Sequence, residues 1–341
     1  MNKKDMTYTK KRTQRRKIPY LCYIISFLVI ISSIWIIWRI YNKNSITINY
    51  SVSGVGDKWL ATDTAQILSE LGYKVQFKHL AKIKPSYNIV LRGNLDNIKK
   101  DTTGRKNILW LAWSNLKIRG EEHTMPLDDY VELIIKSSEP YDVIVISSKK
   151  LYDIIKNKIK KPVYFIPQFT NTEKFYSDYD KTVASQILFV GNYHFKRKTP
   201  LMALEHNYPI TIYGNLWPQG VANKKYIDNR ILRKYYSSAD IILNDTKQNM
   251  KDFGFISNRI FDATACKAFI ISDYMPEIED IYGTSIPMYK TEEEFLELLD
   301  YYMQNPDERR KKAQEAYNIT INKYSNKRIQ KMWENLLQDL Q

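Results

Sequence analysis

Little in this chain speaks for a metal site or a disulfide scaffold. Only two of its 341 residues are cysteine and four are histidine. Two cysteines make no disulfide framework. Cys22 falls in an apolar run and Cys266 in a predicted helix, so they are not expected to meet. No Cys/His grouping has the spacing of a zinc site, and no bound metal or other cofactor is expected. A nucleic-acid partner is excluded on similar grounds. The net charge is +15, yet the folded part shows no basic stripe with aromatics placed for stacking. Much of that charge sits in the first twenty residues, where eight Lys/Arg face Asp5 alone and give +7, leaving +8 for the rest.

What is present begins with a long uncharged run. Residues 1–17 read as a polar, basic tail. From Ile18 to Trp38 there is no charged side chain, and about twenty residues span a bilayer core of roughly 30 Å as a helix. Tyr20, Tyr23, Trp35 and Trp38 lie near the ends, where amphipathic rings favour the interface. A signal peptide would have a shorter apolar region followed by small residues; this run ends in Trp-Arg-Ile-Tyr. Residues 18–40 are therefore expected to be a single-pass anchor. The excess of Lys/Arg before it places the N-terminus in the cytoplasm. The folded part would then lie across the membrane, although the side is left open.

The remaining length and the 44% hydrophobic content allow two folded domains. Apolar runs with the length of strands alternate with helical stretches, which predicts α/β architecture with parallel sheets. Expected strands are Ile46–Val52, Lys74–Phe77, Tyr87–Leu91, Asn107–Ala112, Tyr141–Ser147 and Val163–Ile166, with helices at Leu60–Leu71 and Leu151–Ile159. The Ser53-Gly54-Val55-Gly56 turn lacks a full dinucleotide fingerprint. The first domain is placed at 45–170 and the second at 185–320, with a C-terminal helix at 321–341. The polar stretch Asn171–Ala184 joins the domains. Its Asp178-Tyr179-Asp180 does not follow a buried strand and reads as an exposed charge pair rather than a metal clamp.

Two stretches of the second domain carry the candidate chemistry. After the predicted strand Gln186–Val190 comes Gly191-Asn192-Tyr193-His194-Phe195-Lys196-Arg197-Lys198, at the strand end where open α/β sheets bind ligands. Its cations could neutralise a leaving diphosphate. The other stretch, Gly254 to Asp273, reads as a polar loop, a helix over Arg259–Lys267 and a buried strand over Ala268–Ser272. Ser257, Asn258, Arg259 and Asp262 cluster at the helix start, where free N–H groups favour an anion. Arg259 and Asp262 are one turn apart and are expected to share a face. They would bind a ligand together or form an intrahelical pair, and Ser257 could be no more than an N-cap.

The run Ser257-Asn258-Arg259-Ile260-Phe261-Asp262-Ala263, then Ala265-Cys266-Lys267-Ala268, resembles the signature of group 1 glycosyltransferases, nearest to the CgeB-like spore-maturation branch. Phe189-Val190-Gly191, Ile212-Tyr213-Gly214, Ala239 to Asn244 and Asn305-Pro306-Asp307 follow in that family's order. The resemblance is good from about Tyr141 to Trp333. It implies a GT-B fold, two Rossmann-like domains facing across a cleft, here behind one N-terminal transmembrane helix. It also implies a nucleotide-sugar donor, a glycan, lipid-linked or protein acceptor, and no bound metal. Carried over by motif, Gly191, Lys196, Arg197, Ser257, Asn258, Arg259 and Asp262 form the donor site. Arg197 and Arg259 would face the phosphates, and Asp262 would stand at the ribose position usually held by Glu. Lys267 stands where the family has Gly, and Gly254 where many members keep a first glutamate. The catalytic base is left unassigned, with His123 and Asp57 as candidates in first-domain segments. The rivals are a fucosyltransferase-type enzyme or nucleotide-sugar epimerase on the same scaffold, and a silent membrane-tethered binding module.

Overall fold

The computed structural model describes residues 23–34, 44–50, 55–78, 85–92, 102–114, 117–118, 121–122, 125–193, 197–221, 224 and 226–341. The basic tail, both ends of the expected anchor, Gly54, His123 and Lys196 lie outside these residues. Residues 23–34 form a helix (α1) whose apolar side chains are exposed, Phe27 at 63% and Ile34 at 60%. Among the described residues no helix is long and apolar enough to cross a membrane; α1 as described rises only about 18 Å.

The first domain contains β1 (Ser45–Asn49), α2 (Val55–Glu70), β2 (Lys74–Phe77), β3 (Tyr87–Arg92), β4 (Lys106–Leu111), the short pair β5 (Lys117–Ile118) and β6 (Glu121–Glu122), α3 (Leu127–Ser138), β7 (Val143–Ile146), α4 (Lys149–Ile155) and β8 (Val163–Phe165). Its main sheet is parallel in the order β2-β1-β3-β4-β7-β8. Helices cover both faces, so a strand such as Val-Ile-Val-Ile in β7 is apolar at every position and fully buried. The expected turn at Val55-Gly56 is instead the first turn of α2. Gly72, at φ +85°, ends that helical segment as expected.

The second domain contains β9 (Ser185–Val190), α5 (Lys198–Glu205), β10 (Ile210–Tyr213), α6 (Leu232–Ser238), β11 (Ala239–Asn244), α7 (Gln248–Asp252), α8 (Asn258–Ala265), β12 (Ile270–Asp273), α9 (Pro276–Tyr282), β13 (Met288–Tyr289), α10 (Glu292–Gln304), α11 (Pro306–Tyr324) and α12 (Asn326–Asp339). Its sheet is parallel in the order β10-β9-β11-β12-β13. Thr291 and Glu294 close a reciprocal capping box at the start of α10. The helix expected over Arg259–Lys267 starts one residue earlier and stops at Ala265, and its strand begins at Ile270.

The chain crosses between domains twice, side by side. Thr170 N–H donates to Tyr324 O at 3.0 Å and Asn326 N–H donates to Thr170 O at 2.9 Å. After the second crossing, α12 packs on the first domain. Ile329, Trp333, Leu336 and Leu337 repeat at helical spacing and all enter the core around Ile46, Ile89 and Trp110. The Trp110 and Trp333 rings meet edge to face at 5.1 Å. A segment of the second domain also crosses the other way. Phe253 stacks on Tyr130 at 3.8 Å, and Phe255 joins the same first-domain cluster. The Asp178–Asp180 pair is tied down by α6, through Arg233 at 2.9 Å and Lys234 at 3.0 Å, as structural charges.

Candidate active site

In the second sheet the strand order reverses between β9 and β11, since β9 leads to β10 on one side and β11 to β12 on the other. Ligands of open α/β sheets bind at such a point, beyond the carboxyl ends of the strands. Gly191 sits there with no room for a side chain. A Cβ would lie 2.9 Å from Arg259 Nη2, and one on Gly214 would lie 2.0 Å from Gly191 O. Gly214 also has φ +145°. Gly214→Ala is therefore expected to cost about 2–4 kcal/mol and to misplace the Gly191 loop, as chemical denaturation and a parallel nucleotide-binding assay would register.

Two guanidinium groups converge on the Phe189 ring. Arg259 lies 5.0 Å from its centroid and Arg197 5.8 Å. Arg197 donates to Asp245 O at 2.8 Å and Asp245 Oδ1 at 3.2 Å. Arg259 donates from Nε and Nη2 to Val190 O, at 3.0 and 2.7 Å, and from Nη1 to Asn244 Oδ1 at 2.8 Å. It therefore ties together the ends of β9 and β11, and these bonds all go to neutral oxygens. Arg259 keeps some solvent contact, but burial of the guanidinium still pulls its pKa down and nearby Arg197 adds to the shift. A cation in that state favours an arriving anion.

Arg197 also borders a pocket of about 590 Å³ along the carboxyl edge of β11, β12 and β13. Its basic side chains are Arg197, Lys198, Lys247, Lys251 and Lys290, against Asp245, Asp273 and Glu292. Each acid is already engaged. Asp245 takes Arg197 and the Thr199 N–H, Asp273 takes the Thr246 N–H and Lys251, and Glu292 faces His206. Burial raises the pKa of Asp273, and Lys251 opposes that rise. Lys247, Lys251 and Lys290 were not singled out by sequence. Lys247 and Lys290 follow the carboxyl ends of β11 and β13, a placement that strand assignments alone could have flagged, while Lys251 lies within α7.

Ser257, Asn258, Arg259 and Asp262 do not line this pocket. Ser257 is the residue before α8, but its side chain makes no capping bond. Arg259 and Asp262 do not share partners as their spacing suggests. Arg259 turns to the sheet, while Asp262 turns to the interdomain linker, where its Oδ2 accepts from Asn258 Nδ2 at 3.1 Å and its Oδ1 is buried with no hydrogen bond among the described residues. Burial raises the Asp262 pKa, opposed by the nearby Thr170 hydroxyl, and the charge of Asp63 raises it further. Asp63 lies on α2 and pairs with Lys174 of the linker, so α2 and α8 face each other across the domain interface.

Lys267 has φ +58° at the end of α8. This left-handed conformation explains why the resembling family places Gly there. The ammonium recovers a contact over the Tyr317 ring at 4.9 Å. Lys267→Gly is expected to raise stability by about 0.5–1 kcal/mol by relieving the backbone, as the denaturation midpoint would report. Gly254, at φ +72°, could not carry a glutamate either, because its Cβ would lie 2.7 Å from Glu277 Oε1 and 3.0 Å from Ser148 Oγ.

In the first domain the strand order reverses at β1 and β3, and Asp57 lies in the first turn of α2 above that point. It is 4% exposed and accepts a hydrogen bond from Trp113 Nε1 at 2.6 Å. Desolvation raises its pKa to about 6, against the lowering effects of Trp113 and Arg92. Nearby Lys58 is within electrostatic reach of Asp228 in the second domain, so this end of α2 also faces the interface. Trp113 carried no signal in the sequence beyond its place after a strand.

Residues 197–335 match a family model described as glycosyl transferase-like. The spore protein CgeB of Bacillus subtilis (strain 168) is 22% identical over 312 residues, covering 80% of this chain and 92% of that protein. The chain is similar to these glycosyltransferase-like proteins over its second domain and beyond, and its two parallel sheets have a GT-B-like arrangement. Among solved structures, sucrose-phosphate synthase from Thermosynechococcus elongatus superposes with TM-score 0.61 at 10% identity, covering 87% of this chain and 99% of that one. T4 phage BGT in complex with its UDP-glucose substrate gives 0.56 at 12% identity, covering 86% and 98%. This glycosyltransferase thus shares the two-domain architecture that its sequence resemblance implied.

Proposed function

We propose that this glycosyltransferase moves a sugar from a nucleotide donor, in the first instance a UDP-sugar, to a hydroxyl of a glycan, lipid-linked or protein acceptor. The observation that carries the proposal is the convergence of Arg197 and Arg259 on Phe189, with the hydrogen bonds of Arg259 going to neutral oxygens. When the bond between the sugar's anomeric carbon and the diphosphate breaks, negative charge collects on the leaving oxygen. Cations already fixed in place stabilise that state more than the ground state. The 590 Å³ pocket that Arg197 borders, beside rather than around Arg259, is also within the roughly 300–1,000 Å³ of a small-molecule site.

In this reading Gly191 lets the diphosphate approach the backbone, with Arg197 and Arg259 around it and Lys196, outside the described residues, proposed as a further cation for it. Asn258 and Asp262 take the ribose hydroxyls, and Ser257 orients the start of α8. Side-chain cations replace a metal. Asp57 accepts the proton of the acceptor hydroxyl as its oxygen bonds to the anomeric carbon, with His123 as the alternative base. Residues 18–40 anchor the enzyme, and the tail 1–17 meets the anionic cytoplasmic surface. The exposed apolar face of α1 supports that part of the proposal. The test is a panel of nucleotide sugars assayed for binding and for acceptor-dependent release of nucleoside diphosphate. Transfer from one donor is the expected result. Binding without turnover on any acceptor would favour a silent tethered module, and no binding at all would sink the proposal.

A further inference from the structure

Beside the two chain crossings lies a second cavity, of about 210 Å³, that the donor reading does not use. Its walls come from both domains: Ser147 and Phe165 from the first, Ile256, Phe261 and Ile281 from the second, and Tyr324 at the crossing itself. It shares no lining residue with the 590 Å³ pocket.

Most polar groups on its wall are already committed. Ser147 Oγ donates to Ile166 O at 2.7 Å and accepts from Trp110 Nε1 at 3.0 Å. The Gln168 amide donates to Ala112 O at 2.6 Å, and Lys149 pairs with Asp153. Glu277 differs. Its Oε2 is buried and makes no hydrogen bond among the described residues. Its other oxygen lies over Gly254, 2.7 Å from where a Cβ would sit, and the carboxylate takes a hydrogen bond from its own backbone and feels the charge of Lys150. The neighbouring Lys150 gives its ammonium to Asp252 O at 2.7 Å rather than to Glu277. Asp280 adds a second carboxylate at the rim. A buried acceptor left unmatched beside an apolar space is costly until a donor arrives.

We infer that this hinge cavity is a second small-molecule site, taking a ligand with an apolar or aromatic body and a cationic amine held by Glu277. The volume is below the roughly 300 Å³ of a drug-sized site, so the body is about one ring with a short chain. Burial raises the Glu277 pKa, and an ammonium would bring it back down. Because both domains supply walls, the bound ligand would also fix the angle between them. The inference does not depend on the donor reading.

The test uses the full chain in detergent or lipid with two probes, 2-phenylethylamine and 2-phenylethanol, which differ in the charged end. Calorimetric titration should give about tenfold tighter binding for the amine, the size of one hydrogen bond to a charged acceptor. Glu277→Gln should erase that preference, and Ile281→Trp, which fills the cavity, should abolish binding of both. UDP should bind alongside the amine, and its binding also reports that each variant is folded. Equal affinity for the two probes, binding of neither, a preference surviving Glu277→Gln, or displacement of the amine by UDP would each overturn the inference. The last outcome would make the cavity part of the donor site, whereas loss of UDP binding alone would count only against the donor reading.

Discussion

Arg259→Ala is expected to weaken UDP binding by about 30- to 100-fold. One charge-assisted hydrogen bond to a phosphate accounts for about 1.5–3 kcal/mol, and every 1.4 kcal/mol is about tenfold. The variant should also lose stability, because Arg259 joins Val190 O to Asn244 Oδ1. Removing it leaves both acceptors unmatched at the sheet edge, at about 1–3 kcal/mol each, partly offset by release of a desolvated charge. Arg259→Lys separates the two effects. A lysine keeps the charge for the diphosphate but cannot span both strand ends with a planar fork. It should retain more affinity than alanine while losing similar stability. Affinity unchanged in both variants, measured by titration with UDP, would remove Arg259 from the donor site.

The second large effect concerns Asp57. Asp57→Asn should lower kcat by about 10²–10⁴-fold, the usual contribution of a positioned general base, with little change in donor affinity. In the unaltered enzyme the rate should fall as pH drops through about 6, the raised pKa of Asp57, because the base is then protonated. Stability moves the other way. The folded pKa lies above the unfolded value of about 3.9, so the folded state holds its proton more tightly. Stability is highest below the unfolded pKa and falls as pH rises through the folded one. At pH 7 the neutral asparagine should therefore make the protein more stable, by up to about 3 kcal/mol. A variant that is more stable and nearly inactive would mark a functional carboxylate kept at a folding cost. A variant that is destabilised and still active would mark a structural one. Trp113→Phe should raise the acid limb of the pH profile, since the indole bond lowers the Asp57 pKa.

The parallel strands were legible because burial on both faces leaves continuous apolar runs, as in Val143–Ile146 and Ile241–Leu243. Lys74–Phe77 has the expected bounds. Elements held by tertiary packing were less legible. Helix α7 has five residues, too few to carry a period, and Phe253 and Phe255 beyond it settle in the other domain. Helix α3 is not among the expected elements, and its buried face of Tyr130, Val131 and Ile134 becomes plain only once packed on the sheet. The C-terminal helix was expected, but its return to the first domain follows from Trp333 meeting Trp110 across 223 positions of sequence, as 333 less 110 shows. For the site, position at a strand end picked out Gly191 and Arg197, the helix start after the Gly254 loop picked out Arg259 and Asp262, and the family signature gave those two their expected roles. The opposite directions of those last two side chains depend on a helix rotation that spacing does not fix. The lysines around the large pocket come from segments following three different strands, β9, β11 and β13, and meet only when the sheet forms.

The most direct measurement is a paired titration of UDP and uridine against the full chain at fixed ionic strength. Both carry the same base and ribose, so the difference isolates the diphosphate. If Arg197 and Arg259 grip it, UDP should bind at least about a hundredfold more tightly than uridine, and Arg259→Ala should close most of that gap. Uridine binding as well as UDP, or a gap that survives Arg259→Ala, would contradict a diphosphate held between these two arginines.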